Sequence, residues 1–431
     1  MRGLIPRTGA WRGFAAHRRT AVPTLLSTAA SGISAATTLV VARGTGAAQF
    51  GRFTVVLSIA LIVTVGMLMS LHYVMLQELP RRDPAGHPAL TTTALLSTLA
   101  LGGGVAAGGA AASPVLAPAL GVDPRSLCLG LALALAMTLN QLTESFLRGR
   151  RRYGFVAGLK LAVAVAYLSG SAFSLLVLGI RDAEYYLLAL TGSYAAFSVA
   201  ALTGVEIVPR AWSRAAARAQ YRHGAYVTAI AALTGVLFGL DVIFLNRWAG
   251  QADVGVYSVY NGFPKRLLGV VFTDGIGLAL LPALAVADKP AVMRRIARLA
   301  PLVAAGTGLV SFAASTVFFF LLRAEYPYSL TLMGLSSAGI GAHAVFNLYS
   351  VALSMDGVRG ARLLIACLAA GTPVALACQA ACIAWWGLYG GLAGFAVSNL
   401  VLVAAVAAAA GRAYRRPSAA DRPLPVLETG H

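Results

Sequence analysis

The chain has 431 residues, of which 58% are hydrophobic and only 11% are charged. A soluble domain carries roughly 25% charged residues, so this composition excludes a single water-soluble core and indicates a protein whose solvent is lipid. The formal net charge of +19 suits a nucleic-acid-binding protein only if the basic residues form one soluble face. They lie instead in short segments between apolar runs, which is typical of membrane topology signals. No nucleic-acid partner is predicted.

Apolar runs long enough to cross a bilayer recur along the whole chain. A spanning helix needs about 20 predominantly apolar residues, and the first run is too long for the hydrophobic region of a signal peptide. The pattern predicts an all-α integral membrane protein with about 12 transmembrane helices. The predicted spans are 21–43, 52–76, 89–116, 127–147, 155–180, 184–206, 224–247, 255–285, 300–322, 329–354, 363–385 and 388–411.

The basic residues predict the orientation of these helices, because Lys and Arg favour cytoplasmic loops. With the N-terminus inside, most of the 34 Lys and Arg residues fall in cytoplasmic segments. The residues predicted to lie outside are Arg43, Arg52, Arg125, Arg181, Arg247 and Arg323. The excess of Arg over Lys indicates a GC-rich bacterial genome. We therefore expect a multi-pass protein of a bacterial inner (cytoplasmic) membrane with both termini in the cytoplasm.

A basic segment near the midpoint separates two sets of six predicted helices. Its arginines, 210, 214, 218 and 222, recur every four residues, so on a helix they form one face that can lie on the anionic inner leaflet. An ordinary solvated linker explains them equally well. The predicted organisation is an N-terminal six-helix bundle over 1–208, a basic cytoplasmic linker over 209–222, a C-terminal six-helix bundle over 223–412 and a disordered cytoplasmic tail over 413–431.

The two halves carry an internal repeat. At an offset of 204 residues, RGTGAAQFGRFTV at 43–55 aligns with RWAGQADVGVYSV at 247–259. The identical pairs are Arg43/Arg247, Gly46/Gly250, Ala48/Ala252, Gly51/Gly255 and Val55/Val259. Because the repeat unit holds an even number of helices, both copies enter the membrane from the same side, related by a pseudo-twofold axis along the membrane normal. Such bundles usually meet at a central cleft that faces either side in turn.

These residues resemble a known family, the polysaccharide (O-antigen type) flippases of the multidrug/oligosaccharidyl-lipid/polysaccharide exporter (MOP) superfamily. The resemblance covers nearly the whole chain through short motifs. It implies two six-helix bundles around a central cavity, and alternating-access export of a lipid-linked oligosaccharide, usually carried on undecaprenyl pyrophosphate. The residues that carry it are Ala47-Ala48-Gln49-Phe50-Gly51-Arg52-Phe53, Leu240-Asp241-Val242-Ile243-Phe244-Leu245, Asp253-Val254-Gly255-Val256-Tyr257, the Leu-Pro pairs at 79–80 and 281–282, and Tyr326-Pro327-Tyr328-Ser329.

The eighth predicted helix holds the best candidates for cargo binding. Residues 261–264 interrupt it with Asn, Gly and Pro, and Lys265 and Arg266 follow at about 15 Å below the outer loop, near mid-membrane. A charge in hydrocarbon is costly unless it is paired, hydrated or snorkelling, and a phosphate head in a hydrated cavity needs cations. An equally good interpretation is that one of these cations pairs with Asp241 or Asp274 to hold helices together.

Several further residues are weaker candidates. Lys160 can line the cavity or extend its stem to the cytoplasmic surface. Arg43 and Arg247 are a symmetric pair at outer helix ends, either interfacial anchors or an outer gate. Carboxylates within a transporter often exchange H+ or bind Na+, and those predicted here for ion coupling are Asp241, Asp274 and Glu144. His343 and Asn347, one helical turn apart, either line the cavity or pack between helices.

Sequence motifs of nucleotide-binding proteins and of enzymes are missing from the chain. There is no P-loop, no HExxH and no DxD, the four cysteines lie in apolar runs without a tetrahedral ligand set, and the loops between helices are short. We therefore expect a transporter that is not an enzyme, with no cofactor and no metal site, whose partners are membrane lipids and a polyprenyl (pyro)phosphate-linked glycan. The alternatives are a cation-coupled multidrug exporter of the same superfamily, a major-facilitator transporter, and a membrane-embedded glycan polymerase or glycosyltransferase.

Overall fold

A computed structural model describes residues 9–270, 288–322 and 326–414 of the chain. Helices and short connections account for these residues. The helices of the first half are α1 (Gly9–Leu68), α2 (Leu71–Glu78), α3 (His87–Ala111), α4 (Ser113–Leu120), α5 (Pro124–Gly149), α6 (Tyr153–Leu176) and α7 (Ala183–Leu202). Those of the second half are α8 (Arg214–Trp248), α9 (Gln251–Tyr257), α10 (Phe263–Val270), α11 (Lys289–Leu322), α12 (Leu330–Ser354) and α13 (Gly357–Ala413).

Within the described ranges, eight helices are long and apolar enough to cross a membrane. Two of them, α1 with 60 residues and α13 with 57, each make two crossings, because Gly46 and Gly387 have non-helical backbone angles that divide them. The helix α12 and the segment formed by α9 and α10 supply the remaining crossings. The predicted all-α fold with 12 transmembrane helices is confirmed.

The repeat predicted from the sequence extends to the backbone conformation of the matched glycines. Gly46, between the first two crossings of the first half, has φ 76° and ψ 169°. Gly250, at the same place in the second half, has φ 101° and ψ 169°. Only glycine adopts this region readily, because a Cβ would clash with the backbone. The same sharp reversal therefore joins the corresponding helices, and the two halves are parallel copies of one six-helix unit.

The buried cores show where the two halves join. We name the ends of the helices by the orientation that the basic residues predict. At the outer end, one apolar cluster joins the halves, with Phe53 and Leu133 from the first half and Tyr257 and Leu392 from the second. At the cytoplasmic end, the described residues form two separate clusters, one drawn from Leu68 to Val205 and the other from Leu237 to Tyr414. The halves are thus packed together at the outer end.

The start of α8 is the exception to this separation, because it packs against the first half. Gly224 lies against a break in the second crossing, where Met69 and Ser70 have left-handed angles of φ 43° and 56° between α1 and α2. A second interruption lies in the eighth crossing, where Ser258–Gly262 form a π-helical turn between α9 and α10. It overlaps the interruption predicted from 261–264. Irregular turns of this kind inside helices are frequent at functional sites.

The segment predicted as a linker, 209–222, contains the first turns of α8. A 3-10 turn spans Pro209–Ala211, and the Oγ of Ser213 then caps α8 by accepting a hydrogen bond from the Ala216 amide at 3.4 Å. The alanine-rich sequence favours continuation of the helix. The arginines at 214, 218 and 222 are exposed. The domain boundaries remain predictions, and the predicted tail lies outside the described residues from position 415 onward.

Candidate functional site

The outer ends of the second and eighth crossings touch through a reciprocal glycine contact, which we call the outer seal. A Cβ atom on Gly51 would overlap the carbonyl oxygen of Gln251, and one on Gly255 would overlap the carbonyl oxygen of Ala47. Residues 47 and 251 are themselves equivalent in the repeat. Each half therefore presents the same surface to the other, and only glycine lets the two backbones approach this closely.

Two hydrogen bonds reinforce the joint at the outer end. The hydroxyl of Tyr326 donates to the carbonyl oxygen of Ala42 at 2.8 Å, and the side-chain amide of Asn246 donates to the carbonyl oxygen of Gly121 at 2.8 Å. Each bond runs from the second half to the first. The outer end is thus closed by backbone packing, by hydrogen bonds and by the shared apolar core.

A buried ion pair lies below the seal and joins α8 to α10. The ammonium of Lys265 donates to Oδ2 of Asp241 at 3.0 Å, and the side chain of Asp241 is 0% exposed whereas that of Lys265 is 20% exposed. Pairing offsets part of the desolvation cost of burying the two charges. Sequence analysis left open whether the cations of this helix bind cargo or whether one of them pairs with Asp241 or Asp274. The structure shows Lys265 paired with Asp241. The lysine is the accessible member and the carboxylate lies behind it.

Polar side chains one helical turn apart complete this site. Tyr257, Asn261 and Lys265 follow at intervals of four along the eighth crossing, and the hydroxyl of Tyr257 donates to Oδ2 of Asp241 at 2.5 Å. That hydroxyl accepts a hydrogen bond from the side-chain amide of Asn261, whose buried Oδ1 has no partner in the described part of the chain. The ring of Phe395 lies 4.1 Å from the Lys265 ammonium, a cation–π distance.

The other candidate site residues of the second half lie near this ion pair or outside the described residues. Nδ1 of His343 lies 2.9 Å from Oδ1 of Asn399, and the His343 ring packs edge-on against Phe238. This geometry fits the helix-packing interpretation of His343. Arg266 belongs to α10, although its side chain is not among those described, and Asp274 lies outside the described residues.

A second acid–lysine pair lies in the first half. The ammonium of Lys160 on α6 lies 2.7 Å from Oε1 of Glu144 on α5, and the guanidinium of Arg148 lies 2.6 Å from the same oxygen. Sequence analysis proposed Lys160 for cargo binding and Glu144 for ion coupling as separate residues. The structure brings them together, near the cytoplasmic end of the bundle.

The symmetric arginines of the outer ends lie apart from the seal contact. Arg43 and Arg247 are both exposed, and the residues that approach most closely between the halves are the glycines and carbonyls near 47–51 and 251–255. Exposure suits the anchoring interpretation of both arginines. Arg43 also lines a cavity at the outer end of the first crossing.

Several solved transporter structures have a similar fold. An inward-facing multidrug resistance transporter of the MATE family, in the MOP superfamily, matches with a TM-score of 0.64 at 15% identity over 92% of this chain and 97% of that chain. An outward-facing MATE transporter matches with 0.61 at 16% identity over 93% and 96%. The lipid II flippase MurJ, in an inward closed conformation, matches with 0.62 at 8% identity over 90% and 87%.

This chain shares the fold of these transporters. No protein-family model and no curated protein sequence matches it. The resemblance inferred from short motifs is confirmed at the level of the fold, and the chain is a multi-pass membrane protein.

An ion-pair network at the outer end of the first half was missed by sequence analysis. Arg52, which sequence analysis gave as an outer-loop arginine within a family motif but without a partner, lies 2.7 Å from Oδ2 of Asp123 and 2.6 Å from Oε1 of Glu184. Arg125 binds the other oxygen of Glu184 at 3.0 Å. The network ties the start of the second crossing to α5 and α7. Its signal in the sequence was the position of Arg52 directly after the seal residue Gly51.

The pH dependence of this network follows from Asp123. Burial acts to raise the pKa of Asp123, but hydrogen bonds from Ser126 and the charge of Arg52 outweigh it, so the pKa is lowered from 3.8. A lowered pKa contributes stability that is present above the unfolded-state pKa and is lost as the pH falls through the folded-state pKa.

We therefore expect Asp123→Asn to lower the melting temperature in detergent at pH 7 and to have progressively less effect as the pH falls below about 4. Asp83→Asn is the control, because Asp83 lies in an exposed loop and makes no ion pair within the described ranges. A constant difference between wild type and Asp123→Asn down to pH 3 would contradict this account.

Proposed function

We propose that this protein is a flippase that moves a lipid-linked oligosaccharide or polysaccharide precursor from the cytoplasmic to the outer leaflet of a bacterial inner membrane by alternating access. The glycan and its phosphate enter between the two bundles, while the lipid chain stays in the bilayer. The protein acts without enzymatic chemistry and without a cofactor. The coupling ion is H+ or Na+, with Asp241, Asp274 and Glu144 as the candidate coupling residues.

The observation that carries this proposal is the unequal joining of the two halves. The described residues form one shared core at the outer end and separate cores at the cytoplasmic end. A transporter that alternates needs contacts at one end that can be broken and remade without unfolding either half. The outer joint, where the two backbones meet at Gly51 and Gly255, lies between two bundles that each keep a separate core at the other end, and it fits that requirement.

The greater exposure of Lys265 relative to Asp241 favours a cargo with an anionic head over one with a cationic head. Lys265 is partly exposed and covers Asp241, whose side chain is 0% exposed. A phosphate can approach the ammonium directly, whereas a cationic drug would have to displace it to reach the carboxylate. Lys265 and Arg266 are therefore our proposed phosphate-binding residues, with Lys160, Arg43 and Arg247 as further cargo contacts. A lipid cargo also agrees with the lipid II flippase among the solved structures of this fold.

Flipping by the purified full-length protein tests the proposal. The protein is reconstituted into liposomes that contain a lipid-linked oligosaccharide with a dithionite-sensitive fluorophore on the glycan, and the fraction protected from added dithionite is followed with time. We expect protein-containing vesicles to exchange the labelled lipid between leaflets much faster than protein-free vesicles.

Two comparisons decide which cargo class is moved. A labelled glycolipid that lacks the phosphate should flip no faster than in protein-free vesicles. Accumulation of ethidium driven by an ion gradient, with no flipping of the lipid-linked oligosaccharide, would instead support the multidrug exporter and reject our proposal. Sugar transfer by the purified protein would support the polymerase or glycosyltransferase.

A further inference from the structure

A cavity of about 510 Å³ lies at the outer end of the first half, between the end of the first crossing and the end of α6. Two arginines reach it from different segments, Arg43 from the first crossing and Arg181 from the connection between α6 and α7. We call it the outer arginine pocket. Its lining consists of Val40, Arg43, Gly44, Thr45, Gly46, Ala172, Leu175, Leu176 and Arg181.

The positive charge of this pocket is not balanced by the described residues. No carboxylate lines the cavity, and neither guanidinium is in an ion pair within the ranges that the structure describes. Arg52, on the same face of the protein, is by contrast held by two carboxylates. Arginines are sparse in the predicted outer segments, so the convergence of two of them is not explained by topology signals.

The rest of the lining is mainly apolar, and part of it lies on the exposed surface of α6. Val40, Ala172, Leu175 and Leu176 line it, and Leu176 is 80% exposed at the end of α6. The helices are held close here, because a Cβ on Gly44 would overlap the side chain of Leu175. A cationic region therefore adjoins an apolar wall that is exposed at Leu176.

We propose that the outer arginine pocket binds the phosphate of a lipid in the outer leaflet, with the guanidiniums of Arg43 and Arg181 on the phosphate oxygens and the lipid chain along Leu175 and Leu176. The guanidinium of arginine is planar and weakly hydrated, and it binds phosphate with two parallel hydrogen bonds. The identity of this lipid rests on the proposed function. If the protein is a flippase, the pocket holds the phosphate of the carrier lipid after translocation. It lies on the outer flank of the first half, away from the ion pair of Lys265.

Photo-crosslinking locates the lipid. The full-length protein is reconstituted in lipid nanodiscs with a polyprenyl phosphate that carries a diazirine in its first isoprene units, irradiated, digested and mapped by mass spectrometry. We expect crosslinks on residues 172–178 in the wild type. Their yield should fall about tenfold in Arg43→Gln or Arg181→Gln and further in the double variant, since loss of a charge-assisted contact weakens binding by about an order of magnitude.

Arg125→Gln is the matched control. It removes the same charge from the same face of the same half, but the Arg125 guanidinium binds Glu184 and lies outside the pocket. Its crosslink yield should equal that of wild type. An equal loss of crosslink yield in Arg125→Gln would show that only the general surface charge matters, and it would overturn the proposal. An undiminished yield in the double variant of Arg43 and Arg181 would overturn it as well.

Competition separates a lipid-borne phosphate from a soluble one. Inorganic pyrophosphate at millimolar concentration should leave the crosslinks unchanged, because it lacks the chain that contacts Leu175 and Leu176. Full competition by inorganic pyrophosphate would overturn the lipid assignment. The assay needs no transport, so arginine-dependent crosslinks in a protein that flips nothing would reject the proposed function while leaving the pocket standing.

Discussion

Gly51→Ala combined with Gly255→Ala is expected to convert the outer end of the protein from closed to open. Each new methyl group would occupy the position of a backbone carbonyl oxygen, of Gln251 and of Ala47, and a backbone carbonyl cannot rotate aside as a flexible side chain can. Overpacking of this kind costs about 1–3 kcal/mol at each site. A bias of 1–3 kcal/mol changes an equilibrium by about 5- to 150-fold, so even one substitution should move the population measurably.

Distances between spin labels at Ala48 and Ala252 measure this change. Both residues are exposed and are equivalent in the repeat, and the four native cysteines are first replaced by alanine. Pulsed electron paramagnetic resonance should give a longer distance in the double glycine variant than in wild type. Gly104→Ala is the control, because a Cβ at that position in α3 meets nothing within 4 Å. A distance distribution that stays the same in the double variant would refute a role for the outer seal in closure.

Lys265→Met alone should destabilise the protein strongly, whereas Lys265→Met combined with Asp241→Asn should regain most of the stability but not the wild-type flipping rate. The single variant leaves the carboxylate of Asp241, whose side chain is 0% exposed, without its cation. Removing one partner of a buried pair typically costs about 3–5 kcal/mol, while replacing both is often close to neutral. If Lys265 binds the cargo phosphate, both variants should flip it roughly tenfold more slowly or worse, since a hydrogen bond to a charged group contributes about 1.5–3 kcal/mol.

The melting temperature in detergent and the flipping rate in liposomes separate these two roles. Lys289→Met is the matched control, because Lys289 lies at the cytoplasmic start of α11 and its ammonium donates to the carbonyl oxygen of Met355. Wild-type flipping by the stable double variant would show that the ion pair only holds α8 to α10. That result would remove Lys265 from the proposed phosphate site.

The membrane fold was predictable because its main determinant is local in the sequence. Each crossing requires an apolar run of about 20 residues, and such runs can be counted without knowing any long-range contact. The pairing of Gly46 with Gly250 and of Gly51 with Gly255 also survived in the sequence, since both positions require a residue without a side chain. These matches predicted two parallel halves, and the structure gives the matched glycines equivalent conformations and contacts.

The candidate site was only partly predictable because its partners are distant along the chain. Asp241 and Lys265 are 24 residues apart, and sequence analysis left both an ion pair and a free cation open. The spacing of Tyr257, Asn261 and Lys265 on one helix face was a signal that sequence analysis did not use. The partners of Arg52 are 71 and 132 residues away, and no local pattern connects them. The break at Met69 and Ser70 has no glycine or proline at that position to mark it.

The reciprocal contact of Gly51 and Gly255 has the geometry of an isologous interface, in which one surface patch meets its own copy across a twofold axis. Such a patch is complete within each six-helix unit. A single unit that paired with a second copy of itself could therefore close the same contact before gene duplication joined the two in one chain. Away from that contact the two units differ: the ion pair between Asp241 and Lys265 has Thr37 and Leu61 as its repeat equivalents, so it exists in one unit alone.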